Sequence, residues 1–170
     1  EAAHVVEELT DRIAMVLDGG PCHVGIESTV VDISGKNPVL LRPGSITLED
    51  ISKLVKHITS ATEHTKISGP GMLKSHYAPN HPIRLDATDV REDEGLLAFG
   101  TDIPHGARLM ENLSPTGNLE VAATNLFMML RKLDASDISG IAVMPIPHTG
   151  LGVAINDRLQ RAAAPKEDAA

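Results

Sequence analysis

Hydrophobic periodicity lapses between residues 60 and 82, where Gly69-Pro70-Gly71, Pro79 and Pro82 fall in one stretch. Breakers at that density interrupt both helical and strand hydrogen bonding, so the stretch reads as a linker or an ordered functional loop. The chain therefore divides into residues 1–59, a connecting segment 60–82 and residues 83–170. A length of 170 residues suffices for one good core or two small ones.

Beyond the break, strand and helix patterns alternate. Strands are expected at 83–86, 95–99, 107–112 and 140–146, and helices at 118–133 and 151–163. In the longer helix Leu119, Ala123, Leu126, Leu130 and Leu133 form a stripe with spacings of four and three. Strands joined through crossover helices predict a mainly parallel sheet, hence a small Rossmann-like α/β domain over 83–164. Pro165 to Ala170 reads as a frayed tail.

The first segment is also α/β. Val5, Leu9, Ile13, Val16 and Leu17 recur at helical spacing, which predicts a helix over 3–17 that stops at Asp18-Gly19-Gly20-Pro21. A strand at 28–34, a turn at Gly35-Lys36-Asn37-Pro38 and a strand at 39–42 make a hairpin, closed off by Pro43-Gly44. Thr47 with Asp50 resembles a capping box ahead of a helix whose apolar face is Ile51, Leu54, Val55 and Ile58. Two short strands and two helices are too few to close a core. The chain opens at Glu1, already inside a helical pattern, so it is expected to be the middle of a longer protein.

Composition narrows the function classes. Fifteen Lys and Arg against 23 Asp and Glu give a net charge of −8, which opposes unspecific attraction to a phosphate backbone. No apolar run approaches the roughly 18 residues of a membrane span. Cys22 is the sole cysteine and the eight histidines are scattered, so neither an internal disulfide nor a structural zinc site is expected, and a reducing cytoplasm fits.

"GIESTVVDI" (25–33) sets Glu27, Ser28 and Thr29 at the mouth of an apolar strand. Polar groups fixed at a strand end can address a ligand, although threonine also favours strands and serine often ends them. Glu27 can instead pair with a nearby basic side chain. Arg42 closes the second strand beside a tight turn, where its planar fork suits phosphate or carboxylate, or where it simply lies over the sheet. In "SGPGMLKSHYAPNHP" the only tyrosine, Tyr77, sits between breakers with Lys74 and His76 beside it. Either these three together cap a nucleotide, or Tyr77 pins the linker onto one domain. Gly150-Leu151-Gly152 fits strand-to-helix turn geometry better than a phosphate loop, and His148 and Asp157 carry no signal alone.

Taken together, "LDGGPCHVGIESTVVDI", "PVLLRPGSIT" and "SGPGMLKSHYAPNHP" resemble successive motifs of the threonylcarbamoyl-AMP synthases, a YrdC-like family of tRNA-modifying enzymes. "GNLEVAATNLFMMLRKLD" and "GLGVAINDRLQRAA" are similar to the extra C-terminal domain of its two-domain form. The resemblance implies a nucleotidyltransferase that combines L-threonine, bicarbonate and ATP into threonylcarbamoyl-adenylate, with Mg2+ accompanying the ATP and no dedicated protein ligands for the metal. A separate tRNA-modification complex then transfers the carbamoyl group. By the same resemblance Ser28 contacts threonine with Thr29 adjacent, Arg42 holds the nucleotide phosphates, and Tyr77 folds the linker over the ATP site. The family's Lys/Arg-rich phosphate motif does not occur in these residues, so the chain is expected to be a C-terminal fragment: part of a YrdC-like domain (1–59), a linker or lid (60–82) and a Rossmann-like domain (83–170), inactive alone. Two other readings stand beside it. One is a non-enzymatic nucleotide-binding or regulatory module. The other is an RNA-binding protein of translation, against which the acidic balance counts.

Overall fold

A computed structural model describes residues 2–9, 12–61, 69 and 78–165, with the Glu8 side chain left aside. Tyr77, His76 and Lys74 lie outside the described residues, as do most of the breaker-rich stretch and the tail after Pro165.

In the N-terminal unit, helix α1 spans Ala2–Leu9, strand β1 Val30–Asp32, strand β2 Val39–Arg42, helix α2 Leu48–Ser52 and strand β3 Thr59–Ser60. β1 pairs antiparallel with β2, as the hairpin reading required, and β2 pairs parallel with β3. The helix expected over 3–17 ends at Leu9. Beyond it Ile13 and Val16 are half-buried outside any helix, and Leu17, the last position of the expected stripe, is 88% exposed; a helix end with little surface to bury is marginal in water. Thr47 does cap α2: its hydroxyl accepts from the Asp50 N–H at 3.2 Å and donates to the Asp50 carboxylate at 2.8 Å. The helix stops at Ser52, short of the Leu54, Val55 and Ile58 positions, and Leu54 is 89% exposed. The two-residue β3 was not expected from the sequence, whose boundary between the first segment and the linker falls between Thr59 and Ser60.

The C-terminal unit follows the sequence pattern closely. Strands β4 (Ile83–Arg84), β5 (Glu94–Ala98), β6 (Leu109–Asn112) and β7 (Gly140–Val143) form a sheet in the order β4-β7-β5-β6, all parallel. Helix α3 (Leu119–Asp134) is capped by Asn118, whose side chain accepts from the Glu120 and Val121 N–H groups. With α4 (Leu151–Ala163) it covers one face of the sheet. Ala122, Ala123, Leu126, Leu130 and Leu133 of α3 and Ala154, Ile155, Leu159 and Ala162 of α4 pack on Leu97, Ile141 and Val143. The opposite face is thinner, built from Ala87, Leu96, Ala98 and Ala142 under loop residues.

An ion pair between half-buried Arg84 and buried Glu94 fixes one end of this sheet. Arg84 donates through Nε and Nη2 to the two Glu94 carboxylate oxygens at 3.1 and 2.6 Å, and the Arg91 N–H adds a bond at 2.9 Å. Arg84 first, then the Arg91 amide, hold the Glu94 carboxyl below its ordinary value of 4.5 against the opposing effect of burial. A lowered carboxyl pKa contributes stability that is complete above the unfolded value and lost as pH falls through the folded one. Glu94→Gln is therefore expected to cost about 1.5–3 kcal/mol at pH 7, and the difference from the unsubstituted chain should close as pH drops below 4.5. Urea midpoints across pH 3–7, taken as roughly the range over which carboxylates and histidines titrate, check this; a gap independent of pH would contradict it.

Candidate functional site

The hydroxyl-rich strand mouth and the end of β2 come together in the fold. Residues 27–29 enter β1 while residues 43–46 leave β2, and the antiparallel pairing lays these two segments side by side. Gly44 makes the closeness possible: a Cβ there would run into the Glu27 carbonyl, the Ser28 carbonyl carbon and the Thr29 nitrogen. The Ser45 N–H donates to the Glu27 carbonyl at 3.3 Å. Thr29 Oγ1 donates to the Ile46 carbonyl at 2.5 Å and accepts the Ile46 N–H at 3.1 Å, so this hydroxyl stitches the segments together.

Arg42 is not the surface arginine that spacing alone allowed. It is 7% exposed, and its Nε and Nη2 both donate to the Ser28 carbonyl, at 3.1 and 2.9 Å, with Ser28 Oγ at 3.4 Å from Nη2. A two-pronged guanidinium on one carbonyl fixes the Ser28 backbone in orientation as well as position. The Ser28 side chain itself is exposed. Of the residues singled out in the sequence, Ser28, Thr29 and Arg42 thus converge on one wall; Tyr77, outside the described residues, is not placed.

Glu27 finds a basic partner 131 residues away. Arg158 of α4, 1% exposed, donates through Nε to Glu27 Oε2 at 2.8 Å, and through Nη1 to the Pro43 carbonyl at 2.9 Å and to Asp157 Oδ2 at 2.7 Å. Asp157, without signal in the sequence, is gripped in turn by the Arg161 guanidinium. The rest of the contact between the units is as close. Ile26 joins the C-terminal core, and Gly25, at φ +73°, lies where a Cβ would strike the Ala123 and Thr124 backbone. The Thr124 hydroxyl donates to the His23 carbonyl at 2.9 Å. Glu49 accepts the Gly150 N–H at 3.1 Å at the start of α4. That carboxyl is held below its usual range by its own backbone N–H first and by the Gly150 N–H second, the arrangement a helix N-terminus favours. Gly150-Leu151-Gly152 is accordingly turn geometry, since a side chain at Gly152 would overlap the Pro147 carbonyl.

A hollow of about 60 Å3 lies at the carboxyl ends of β4 and β7, lined in part by Asp86, Met144, His148, Asn156 and Gln160. Ligands of α/β sheets favour that position, yet small-molecule pockets run to roughly 300–1,000 Å3, which weighs against a nucleotide being sensed there. Among the described residues no group of three or more His, Cys, Asp or Glu gathers to hold a metal ion, and no helix is long and apolar enough to cross a membrane.

The fold defines a two-unit α/β protein in which the polar wall of one unit, residues 27–29 and 43–46, is braced by Arg158 of the other. Comparison with known proteins gives the family. The sequence profile described as "Threonylcarbamoyl-AMP synthase, C-terminal domain" matches residues 46–164, and one described as "Telomere recombination" matches residues 1–44. The threonylcarbamoyl-AMP synthase of Bacillus subtilis is 33% identical over 96% of this chain and 52% of its own length. That of Pyrococcus abyssi is 31% identical over 95% of this chain and 53% of its own length. The crystal structure of Pyrococcus abyssi Sua5 complexed with L-threonine superposes with a TM-score of 0.82 at 29% identity, covering 95% of this chain and 53% of that one. The chain belongs to the threonylcarbamoyl-AMP synthase family, and it spans about half the length of the curated relatives it matches.

Proposed function

We propose that this chain serves the synthesis of threonylcarbamoyl-adenylate from L-threonine, bicarbonate and ATP, with release of pyrophosphate, for threonylcarbamoyladenosine modification of tRNA. The observation that carries the reading is the wall formed by Ser28, Thr29 and Arg42, where an exposed hydroxyl stands on a backbone fixed by a buried guanidinium. Ser28 supplies a hydrogen-bonding hydroxyl to threonine. Thr29, its own hydroxyl spent on Ile46, keeps the wall in place. Arg42 holds Ser28 and turns its positive charge toward the nucleotide phosphates. Tyr77 closes the linker over the ATP; a His–Tyr double-alanine variant of Pyrococcus abyssi Sua5 is among the similar structures, and His76-Tyr77 is such a pair here.

The chemistry asks mainly for alignment. Threonine's amine adds to carbon dioxide with loss of a proton, or to bicarbonate with loss of water, to give a carbamate; a carbamate oxygen then attacks the α-phosphorus, and the bond to the departing pyrophosphate breaks. Fixed positions and fixed charges supply most of the rate in such transfers. Mg2+ travels with the ATP on its phosphate oxygens, and no residue of this chain is assigned to it. The product passes to a separate tRNA-modification complex in the cytoplasm. The pocket is completed by the remaining half of the relatives' length, whose docking would also cover the apolar Leu17 and Leu54 side chains now 88% and 89% exposed. The 170 residues alone are therefore expected to show no turnover.

Threonine- and bicarbonate-dependent pyrophosphate release tests both points. It should be absent from the isolated chain and present once the complete catalytic unit is supplied, with the adenylate identified by mass. Robust turnover by the isolated chain would overturn the fragment reading, and no turnover in either form would overturn the activity.

A further inference from the structure

Arg158 sits one residue from each half of the proposed site. Through Glu27 it reaches the neighbour of Ser28, and through the Pro43 carbonyl it reaches the neighbour of Arg42. Asp157, itself gripped by Arg161, holds the same guanidinium from behind. We propose, on the reading of the site given above, that Arg158 is a positioning residue: its guanidinium is the contact through which the C-terminal unit ties the two wall segments, 27–29 and 43–46, to each other.

Stability alone does not call for an arginine here. The side chain is 1% exposed, and its Nη2 is a buried nitrogen with no hydrogen-bond partner among the described residues. Burying a charge and leaving part of it unsatisfied is costly, and an apolar side chain of similar volume often serves a protein interior as well or better. Packing would be met by methionine. What methionine lacks is direction. The guanidinium is a rigid plane, and two of its nitrogens are spent on two different segments, 27–29 and 43–46, which are the segments that carry the wall. Arg42 then closes the same loop from the other side through the Ser28 carbonyl. Lysine, with a single ammonium on a flexible stem, cannot hold the Glu27 carboxylate and the Pro43 carbonyl in the same fixed geometry.

The charges left behind by Arg158→Met remain solvated or paired. The Glu27 side chain is 32% exposed, and Asp157 keeps Arg161. The variant is thus expected to fold, with its wall loosened. Two readouts test this. Hydrogen exchange of the Ser45 N–H, which bonds the Glu27 carbonyl, should accelerate at least tenfold in R158M, while Leu96 and Leu97 in β5 exchange as before. In the protein with its complete catalytic unit, the threonine KM should rise about tenfold in R158M, and R158K should not restore it. E27Q, a milder route should R158M fail to fold, should raise the same KM, and the double variant should be no worse than R158M alone, as expected of two residues acting through one contact. Unchanged Ser45 exchange in R158M, or additive effects of the two substitutions, would overturn the proposal. So would accelerated exchange with unchanged threonine KM, provided Ser28→Ala raises that KM. If S28A leaves it unchanged, the reading of the site fails instead, and the exchange result still reports on the tether.

Discussion

Arg42→Met is expected to lower threonine-dependent pyrophosphate release by at least about 10²-fold in the protein with its complete catalytic unit. Two effects add. The Ser28 carbonyl loses both guanidinium donors at once, at 3.1 and 2.9 Å, in a part-buried place where Arg42 is its donor among the described residues. A fully buried acceptor stripped of its partners costs about 1–3 kcal/mol; this part-buried one falls toward the lower end, and the segment will shift to recover bonds elsewhere. A displacement of about 1 Å at a group that aligns reactants is worth about 10²-fold in rate. Arg42→Lys is expected to recover little, since one ammonium cannot reproduce two parallel bonds to a single oxygen. Steady-state kinetics against threonine and ATP, beside a urea midpoint for each variant, separate the effects. A full-rate Arg42→Met enzyme would remove Arg42 from the site.

Gly44→Val is expected to destabilise the N-terminal unit by about 3 kcal/mol, at the upper end of what overpacking costs. The obstruction is main chain on the far side: the Glu27 carbonyl, the Ser28 carbonyl carbon and the Thr29 nitrogen. None of these can rotate away as a side-chain tip could. The segments must part, and the Ser45–Glu27 and Thr29–Ile46 hydrogen bonds go with them. Arg158 and Arg42 lose their geometry in the same movement, so threonine affinity should fall together with stability. The urea midpoint is the direct check, and a midpoint equal to that of the unsubstituted chain would mean the two segments are not packed as described.

Where a segment buries its stripe against neighbours in the same unit, the sequence was a good guide to the fold. The apolar stripe of α3 and the 151–163 helix were legible because their partners, the strands of one parallel sheet, come from the same stretch of chain. The Thr47–Asp50 cap was legible because it is local. The helix expected over 3–17 is observed only over Ala2–Leu9, and Leu17 at the end of the expected stripe is exposed: periodicity promises an apolar face but does not guarantee a surface along its whole length. β3 consists of Thr59 and Ser60, both exposed, and its pairing with β2 leaves no hydrophobic trace to read. In the proposed site, Ser28, Thr29 and Arg42 could be singled out because each marks a strand end. Arg158 could not. On a helix of ordinary amphipathic pattern an arginine reads as a surface residue, and its burial depends on Glu27 and Pro43, more than 100 residues distant. Glu27 gave the only hint, a carboxylate beside a buried strand in want of a cation.

The most direct test is a crystal structure of the protein with its complete catalytic unit, bound to L-threonine and a non-hydrolysable ATP analogue. The account predicts the Ser28 hydroxyl within hydrogen-bonding distance of the threonine, the Arg42 guanidinium beside the phosphates while still on the Ser28 carbonyl, and Tyr77 closing the same cavity. Threonine and nucleotide seated elsewhere, with these three side chains facing unrelated surfaces, would contradict it.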